Sequence, residues 1–536
     1  MGLNPLTSSY YSDHLGACLV LEPLMHYRAD GTVIPNLVTD VPAVENGMLA
    51  PDRTFVTYQL LPDVTWSDGE PFTAEDVRFT WEWNRNPDNR SWANTIADRI
   101  AAVDIVDDLT VTVRFANPEP TWFEAHTGTY FGFILPEHVL GNVDDPETAA
   151  ADFRNAPIGT GPYVVEEFKT WESATFVANA RYREPTKPWF SRVVINQYAN
   201  TANGEEDFFT RGEYDFYWDL RGSAATIRDL ADASDTIDLV LVPSTIIEGV
   251  SINLSDPRTE VDGQVSEMNT PHPILSDPAV REAIALAIDR EAIAAEAYFG
   301  LGLEPPAKSF LDGHPGLEDE ATGGEYDPDR ARQLLEDAGW ILAGDVREKD
   351  GITLDLTYQS IIDSTQDVAA AIVKDNLDAV GFRIEPRRVD AQIFRDPMPG
   401  NDQSEVKFRA DLQYFEFGAP SRPLPIDRFR SSWYAGQDGE NVPQAANTWQ
   451  GGNVSRYLNP EFDALWDEAN TETDLEAQRQ LCVELNDMVI AGCVTIPYGH
   501  RRRRCASVKS LDRENMDLGP FSHLYWNIAN WRRNDE

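Results

Sequence analysis

The sequence predicts an α/β protein of two or three domains. The chain has 536 residues, which is more than one hydrophobic core usually organises. Hydrophobic residues make up 42% and charged residues 25%, a mixture typical of globular proteins and too apolar for a disordered chain. Strand patterns dominate the first 250 residues, and strands alternate with helices in the middle of the chain.

The first half of the chain is predicted to be rich in β-strands. Thr54–Leu60 alternates apolar and polar residues, as a half-buried strand does. Thr73–Asp76 has the residues of a capping box and predicts the start of a helix. A hairpin is expected around Asp107-Asp108, and another joins Val164–Phe168 to Ala174–Ala178. The Gly/Pro-rich loop at residues 157–163 leads into the second hairpin.

From about residue 250 the pattern becomes βαβ-like. Residues 249–254 read as a strand, and Asp277–Phe299 as one long helix with a single apolar face. Two more helices are expected at 327–339 and 366–380, and a strand follows at 382–389. Further helices are predicted at 460–469 and 475–490, and the last forty residues return to short strands and loops. This alternation predicts an α/β domain in the middle of the chain.

The net charge excludes some partners. Lys and Arg number 44 against 90 Asp and Glu, which gives a formal charge of −46. Such a surface repels nucleic acid and anionic membranes, so neither is expected as a partner. A solvated acidic surface without a specific role also explains the composition. No run of 18 apolar residues predicts a membrane span.

The start of the sequence does not look like a signal peptide. Met1–Pro5 is followed by neither a basic region nor an apolar one. On the residues alone, either the protein is cytoplasmic or its export signal is missing from this sequence.

A screen for catalytic motifs predicts no enzyme, no metal site and no cofactor. The sequence has no P-loop, HExxH, GxSxG or EF-hand spacing. Gly159-Thr-Gly161 precedes Pro162-Tyr163, which cannot open a helix on a pyrophosphate. With 90 acidic residues, pairs of carboxylates are common and weak evidence for acid–base chemistry. The basic run Arg501–Arg504 after His500 is explained by salt bridges or a solvated strand end, or else by docking to a partner.

The four cysteines match no zinc or redox motif. Cys482 lies in a predicted helix that continues for about 12 Å beyond this residue. A bridge to Cys493 therefore requires the chain to fold straight back after the helix. A Cys482–Cys493 bridge and free buried thiols both remain open, as do the other pairings with Cys18 and Cys505.

Three segments carry a resemblance to a known family. These are Val64–Trp81 (VTWSDGEPFTAEDVRFTW), Ala156–Val165 (APIGTGPYVV) and Leu275–Ile293 (LSDPAVREAIALAIDREAI). They resemble, in order and spacing, extracellular solute-binding protein family 5, which includes oligopeptide, dipeptide and nickel receptors. Asp327–Trp340 and Gly452–Arg456 with Asn459–Asp463 fit the same pattern.

The resemblance implies a two-lobed fold of the periplasmic-binding-protein type II-like class (cluster C). It implies an extra subdomain in lobe one and two hinge crossings, expected near 249–254 and 495–498. The expected boundaries are 1–40, 155–250 and 495–536 for lobe one, 41–154 for the extra subdomain and 251–494 for lobe two.

The resemblance also implies a function. The chain is expected to be an extracytoplasmic receptor of an ABC importer, in the periplasm or on the outer face of the membrane. It would capture a small ligand, foremost a peptide, by hinge closure and deliver it as a monomer to the permease. The signal sequence and first strand would then be missing from this sequence. An oligosaccharide or opine-like ligand, a ligand-presenting sensor module and an enzyme on the same fold are the alternatives.

Seven residues are predicted to contact the ligand. In peptide receptors of the family, an acidic residue of lobe two holds the ligand's α-amino group, in the segment that here reads Asp411–Pro420. No Asp stands at the usual place, and Glu416 is the nearest acid. For the aromatic candidates core packing is an equal alternative, and for Glu416 a surface role is the alternative. The candidates are Tyr10, Tyr130, Tyr414, Glu416, Trp433, Trp449 and Asn453.

Overall fold

The computed structural model describes most of the chain. The described residues are 3–7, 11–89, 91, 93–141, 146–170, 172–196, 201–304, 309–311, 317, 324–398, 400–418, 427–431 and 439–534. The chain divides into two compact units: Met1–Gly222, Leu230–Val242 and Cys505–Glu536 form the first, and Ser223–Asp229 with Pro243–Arg504 form the second. The boundaries expected for lobe one, its subdomain and lobe two stay a prediction.

The first unit contains short strands and helices. Its strands are β1 Met25–Tyr27, β2 Val33–Pro35, β3 Phe55–Gln59, β4 Ile100–Asp107, β5 Thr110–Phe115, β6 Tyr163–Lys169, β7 Ser173–Ala178, β8 Arg192–Asn196 and β9 Phe216–Tyr217. Its helices are α1 Tyr11–Ala17, α2 Ala74–Arg85, α3 Asn94–Ala97, α4 Gly128–Phe131, α5 Glu137–Leu140, α6 Pro146–Asn155 and α7 Thr201–Arg211. Strands β1 to β8 form antiparallel sheets in the orders β1-β2, β3-β5-β4 and β6-β7-β8, whereas β9 pairs with residues 506–507 near the end of the chain.

Helix α8 Ala224–Asp232 and strand β10 Ile237–Ile252 contain the points at which the chain passes between the units. The second unit contains α9 Pro278–Ala287, α10 Arg290–Ala292, β11 Leu303–Glu304, α11 Pro328–Asp337, β12 Ile341–Ala343, β13 Val346–Lys349, β14 Ile352–Thr353, β15 Asp355–Ile361, α12 Ser364–Ala379, β16 Arg383–Val389, α13 Ala391–Arg395, β17 Leu412–Gly418, α14 Pro460–Thr471 and α15 Leu475–Ala491. Strand β18 Thr495–Val508 returns to the first unit.

Hydrogen bonds of one carboxylate hold the first family-like segment together. The predicted capping box is present: Thr73 caps α2, and Asp76 accepts a hydrogen bond from the Thr73 N–H at 2.9 Å. Asp76 also accepts from the Trp66 indole N–H at 3.3 Å and from the Glu137 N–H at 2.9 Å. Burial raises the pKa of Asp76, and these hydrogen bonds oppose that rise. The motif therefore ties a turn, a helix start and the start of α5 to one buried group.

The Gly/Pro-rich loop lies against another backbone segment. The Gly161 N–H donates to the Val20 carbonyl at 2.8 Å. A Cβ atom on Gly159 would lie 1.8 Å from the Val20 carbonyl oxygen, and one on Gly161 would lie 2.6 Å from it. Both glycines are therefore required by the close approach of two main chains, a structural reason for this family-like motif.

In the second unit the main sheet has the strand order β11-β18-β10-β17-β15-β16. Strand β15 is parallel to both β16 and β17, whereas β10 is antiparallel to β17. Helix α12 packs on β15 and β16, and α9 packs on α11. A large apolar cluster lines these contacts, including Ile284, Ile288, Leu356, Val373 and Leu377. The predicted alternation of strands and helices thus corresponds to a mixed sheet with helices packed on it.

The long helix expected at Asp277–Phe299 is interrupted, and that prediction is wrong in this detail. Helix α9 ends at Ala287, and the backbone of the next residue, Ile288, is extended. Asp289 then caps α10, its carboxylate accepting the Ala292 N–H at 2.9 Å. A π-helical turn follows at Ile293–Ala297. The apolar periodicity continues across the break, so the pattern alone did not indicate it.

All four cysteines are buried free thiols, the second of the two alternatives left open. Burial raises the pKa of Cys482 to about 12 and that of Cys493 to about 11, so both thiols stay protonated and unreactive. Within the described residues, no helix combines the length and apolar character needed to cross a lipid bilayer.

Candidate functional site

Three parallel strands of the second unit end at one edge. Strands β16, β15 and β17 finish at Val389, Ile361 and Gly418. Helices α12 and α13 begin just after β15 and β16, capped by the side chains of Asp363 and Asp390. In open α/β sheets the loops beyond the carboxyl ends of the strands form the usual ligand site. This edge therefore has the position that ligand sites take in such sheets.

Two carboxylates face each other across β10 and β17. The register pairs Glu248 with Glu416. Like charges directly opposite on neighbouring strands destabilise a sheet unless a cation lies between them. Arg501 supplies that cation: its Nη1 lies 3.5 Å from Glu248 Oε1 and 3.6 Å from Glu416 Oε2. The first arginine of the basic run therefore forms salt bridges, one of the two explanations given above.

The Glu248 end of this pair is buried. Only 2% of Glu248 is exposed, and its carboxylate accepts hydrogen bonds from the Tyr298 hydroxyl and from Gln366 Nε2, the latter at 3.0 Å. Gln366 lies in the first turn of α12 and also donates to the Tyr298 oxygen at 2.9 Å. Burial raises the pKa of Glu248, and the Arg501 charge opposes that rise. The Glu248 carboxyl group therefore holds its proton more tightly than a carboxyl group in water does.

The Glu416 end is open to solvent. Glu416 accepts from the Tyr414 hydroxyl at 3.1 Å and pairs with Arg395 Nη2 at 3.0 Å. The side chains of Arg395 and Arg501 are 48% and 38% exposed, and that of Glu416 is 23% exposed. The edge therefore presents both signs of charge to solvent. We call the set the charged cluster: Glu248, Tyr298, Gln366, Arg395, Tyr414, Glu416 and Arg501.

The ring of Tyr414 anchors the cluster to an apolar layer. Tyr414 is 2% exposed and packs with Ile361, Val389 and Phe394, residues from the ends of β15 and β16 and from α13. Burial raises the pKa of Tyr414 well above its ordinary value, and nearby carboxylates add to the effect. The phenol therefore remains a neutral hydrogen-bond donor to Glu416 throughout the physiological range.

Of the predicted ligand residues, Tyr414 and Glu416 come together in the charged cluster. They are two residues apart on β17 and so share a face of the sheet. Sequence reasoning missed Glu248, Gln366, Tyr298 and Arg395, because their proximity depends on strand register and helix placement. Arg501 had a signal, the basic run, but its partners could not be read from the sequence.

Trp449 and Asn453 lie in another loop of the second unit. The Trp449 ring is half-buried, and the Lys407 ammonium lies 5.4 Å from its centroid. Asn453 is 1% exposed and its oxygen accepts the Tyr457 N–H at 2.9 Å. Its amide nitrogen donates to the carbonyls of Phe429, Arg430 and Tyr457. The Asn453 amide thus has a complete structural role, and ligand contact by either residue stays a prediction.

The remaining candidates are not described in side-chain detail. Tyr10 and Trp433 lie outside the described residues. Tyr130 is part of α4, but its side chain is outside the description. Their predicted ligand contacts therefore stay predictions.

Comparison with known proteins identifies the family. The family model described as bacterial extracellular solute-binding proteins, family 5 Middle, matches residues 32–441. This chain belongs to that family. Family 5 membership confirms the resemblance carried by the three sequence segments, and with it the expected role as a solute-binding receptor of an ABC importer.

Individual family 5 relatives cover most of the chain. A Brucella ovis protein named as an ABC transporter peptide-binding protein is 26% identical over 482 residues, 89% of this chain and 80% of the relative. The nickel-binding periplasmic protein of Escherichia coli is 28% identical over 398 residues, 71% of this chain and 68% of the relative. The relatives are solute-binding receptors, and the family is extracellular by its description.

Solved structures confirm the predicted fold class of this family 5 receptor. The ABC transporter substrate-binding protein CtaP of Listeria monocytogenes aligns over 99% of this chain and 96% of that chain. The TM-score is 0.78 at 19% sequence identity, so the likeness is one of fold.

Proposed function

We propose that this receptor captures a peptide for an ABC importer and binds the peptide's amino group at Glu416. The observation that supports this proposal is the exposed edge of the charged cluster. There the Glu416 carboxylate lies beside the guanidinium groups of Arg395 and Arg501. A peptide has an ammonium group and a carboxylate, and both find an opposite charge there. The relative named as a peptide-binding protein supports the same choice of ligand.

The role of Glu416 depends on exchange of partners. In the described structure Arg395, Arg501 and Tyr414 all contact its carboxylate. A carboxylate has room for about four hydrogen bonds, so an ammonium group can add to this set or displace Arg501 toward Glu248. Arg395, which pairs with Glu416 at the exposed end, then becomes available to a ligand carboxylate. A neutral oligosaccharide gains nothing from these charges and would instead need aromatic platforms such as Trp449 or Trp433.

The remaining parts of the proposal follow from the family. The receptor is proposed to work at the outer face of the membrane or in the periplasm, to deliver its solute to a permease and to act as a monomer. Closure of the two units over the solute is proposed as the binding mechanism. An opine-like solute, which also has both signs of charge, is an alternative that the same edge would accept.

Native mass spectrometry of the purified protein, followed by denaturation, tests the ligand class. A co-purified peptide of two to ten residues is the expected result. A released sugar would contradict the peptide proposal and shift attention to Trp433 and Trp449. For a protein that is empty, calorimetric titration with a panel of short peptides is the next measurement, and failure of every peptide to bind would contradict the proposal.

The Glu416→Gln variant tests the amine contact. Loss of a charge-assisted hydrogen bond costs about 1.5–3 kcal/mol, so we expect peptide affinity to fall about tenfold to 100-fold. An N-acetylated peptide lacks the ammonium group and should bind both proteins equally weakly. The matched control is Glu385→Gln, an exposed carboxylate on β16 of the same sheet. Equal weakening of both peptides by Glu416→Gln would refute the amine contact but leave the receptor role standing.

A further inference from the structure

The second unit contains a cavity whose lining differs from the residues of the charged cluster. Its volume is about 470 Å³. It is bounded by α9, by the last residues of α15 and by the start of β18, with Leu286, Ile490, Ala491 and Ile496 on its walls. It shares no lining residue with the charged cluster.

The cavity contains a buried cation. Arg290 lines it and is only 3% exposed. Its Nε donates to the Pro497 carbonyl at 2.8 Å, and its Nη1 donates to the carbonyls of Ala285 and Ile288 at 3.2 Å. Within the described residues Nη2 donates no hydrogen bond, and no carboxylate lies within 4.0 Å of the guanidinium. Burial lowers the pKa of Arg290 to about 10.

A buried charge held only by carbonyl dipoles is costly, and a counter-charge nearby would relieve that cost. Arg281 provides a comparison, because it is held in the same way as Arg290 but outside the cavity. It too donates to main-chain carbonyls, those of Leu275, Ser276 and Gly492, and is in no ion pair among the described residues. Arg281 does not line the cavity, whereas Arg290 does. Of these two arginines held by carbonyls, Arg290 is the one with space beside it for an anion.

The walls and the mouth restrict the chemistry of that anion. Leu286, Ile490, Ala491 and Ile496 form the apolar part of the lining, and an aliphatic ligand body would pack there. Glu282, Glu325, Arg330 and Thr495 make the rest of the lining polar. At the mouth, the exposed Arg330 pairs with Glu282 and Glu325, each at 3.1 Å. This trio has one negative charge in excess, so a dianion would be repelled more strongly than a monoanion.

We propose that this cavity is a second binding site, which takes a small aliphatic monocarboxylate with its carboxylate on Arg290. The site is separate from the solute site and does not depend on the identity of the solute. Its occupancy stabilises the second unit by mass action.

Calorimetric titration of the full chain with hexanoate tests the site, and hexylammonium serves as the probe of equal shape and opposite charge. We expect hexanoate to bind and hexylammonium not to bind. Ala491→Phe, which places a ring in the cavity from the exposed end of α15, should weaken hexanoate at least tenfold. Arg290→Gln should have the same effect, while Arg281→Gln serves as its control because it loses the same kind of carbonyl contacts outside the cavity.

Each other outcome contradicts the proposal. No binding of hexanoate to the wild-type protein, or equal binding of hexylammonium, would show that Arg290 is held by its carbonyls alone. Unchanged hexanoate affinity in Ala491→Phe would place the probe elsewhere in the molecule. Because Arg290→Gln could also unfold the region, circular dichroism spectra are recorded for every variant. Ala491→Phe keeps Arg290 intact and therefore tests the cavity without removing the buried charge.

Discussion

At the scale of single residues, one guanidinium decides whether two carboxylates can coexist. Arg501 lies between Glu248 and Glu416, which the strand register sets opposite each other. Removal of that cation would leave like charges facing each other, one of them in a desolvated position. The exposed Glu416 carboxylate therefore depends on the same guanidinium that compensates the buried Glu248.

The free energy of unfolding should depend on pH through Glu248, the buried carboxylate of the charged cluster. Burial raises the folded-state pKa of Glu248 above its unfolded value. A raised pKa means that the protonated acid stabilises the fold at low pH, and that this contribution is lost as pH rises through the folded pKa. Glu248→Gln cannot lose a proton. We therefore expect the variant to gain free energy of unfolding relative to the wild type as pH rises from about 4.5 to 8.

Urea unfolding at a series of pH values measures this difference, since urea is uncharged and does not screen the cluster. Glu385→Gln, on an exposed part of β16, is the control and should show no such trend. A constant difference between Glu248→Gln and the wild type across the range would show that Glu248 stays ionised throughout.

Single residues were the hardest feature to predict. Tyr414 and Glu416 could be proposed from one strand because alternate residues share a face. Glu248, Tyr298 and Gln366 come from three other elements, and only register and helix packing bring them together.

At the scale of elements, strand and helix positions followed from local rules. The capping box at Thr73 and the glycine stop at Gly339 both lie where the sequence predicted helix ends. Where the prediction failed, at Ile288–Asp289, an apolar pattern of helical period continued through a break made by one capping aspartate. Periodicity reports which side of an element is buried, and it does not report whether the backbone is continuous.

The Gly/Pro-rich loop gives a sharp test at this scale. Gly159→Ala would place a methyl group 1.8 Å from the Val20 carbonyl oxygen, so one backbone must move. We expect a loss of about 3 kcal/mol or more in the free energy of unfolding. Gly400→Ala is the control, because no atom lies within 4 Å of its would-be Cβ and that residue is exposed.

Urea unfolding followed by tryptophan fluorescence compares the two variants. Gly400→Ala should stay within about 0.5 kcal/mol of the wild type. An equally small effect of Gly159→Ala would mean that the approach of the loop to residues 19–20 is not required for stability.

At the scale of the whole molecule, the charge of −46 should control the response to salt. Self-repulsion opposes the compact state, and the Debye length falls from about 30 Å at 0.01 M to about 3 Å at 1 M salt. We expect the melting temperature to rise by several degrees over this range of NaCl at neutral pH. Differential scanning calorimetry measures it, and the same series near the isoelectric point is the control, where the rise should be much smaller. A flat response at neutral pH would show that repulsion among the acidic side chains does not limit the stability of the fold.

The shared arginine of the charged cluster links solute binding to protons. If a solute's ammonium group displaces Arg501 from Glu416, the guanidinium can move toward Glu248, and a closer cation favours the ionised form of that buried acid. Any proton on Glu248, held there beside Tyr298 and Gln366, is then released to the solvent as the solute binds. Linkage makes this reciprocal: a more alkaline medium strengthens binding, and the calorimetric enthalpy varies with the ionisation heat of the buffer. Binding of the solute's ammonium group would thus be accompanied by release of a proton, and an acidic medium would favour dissociation of the solute.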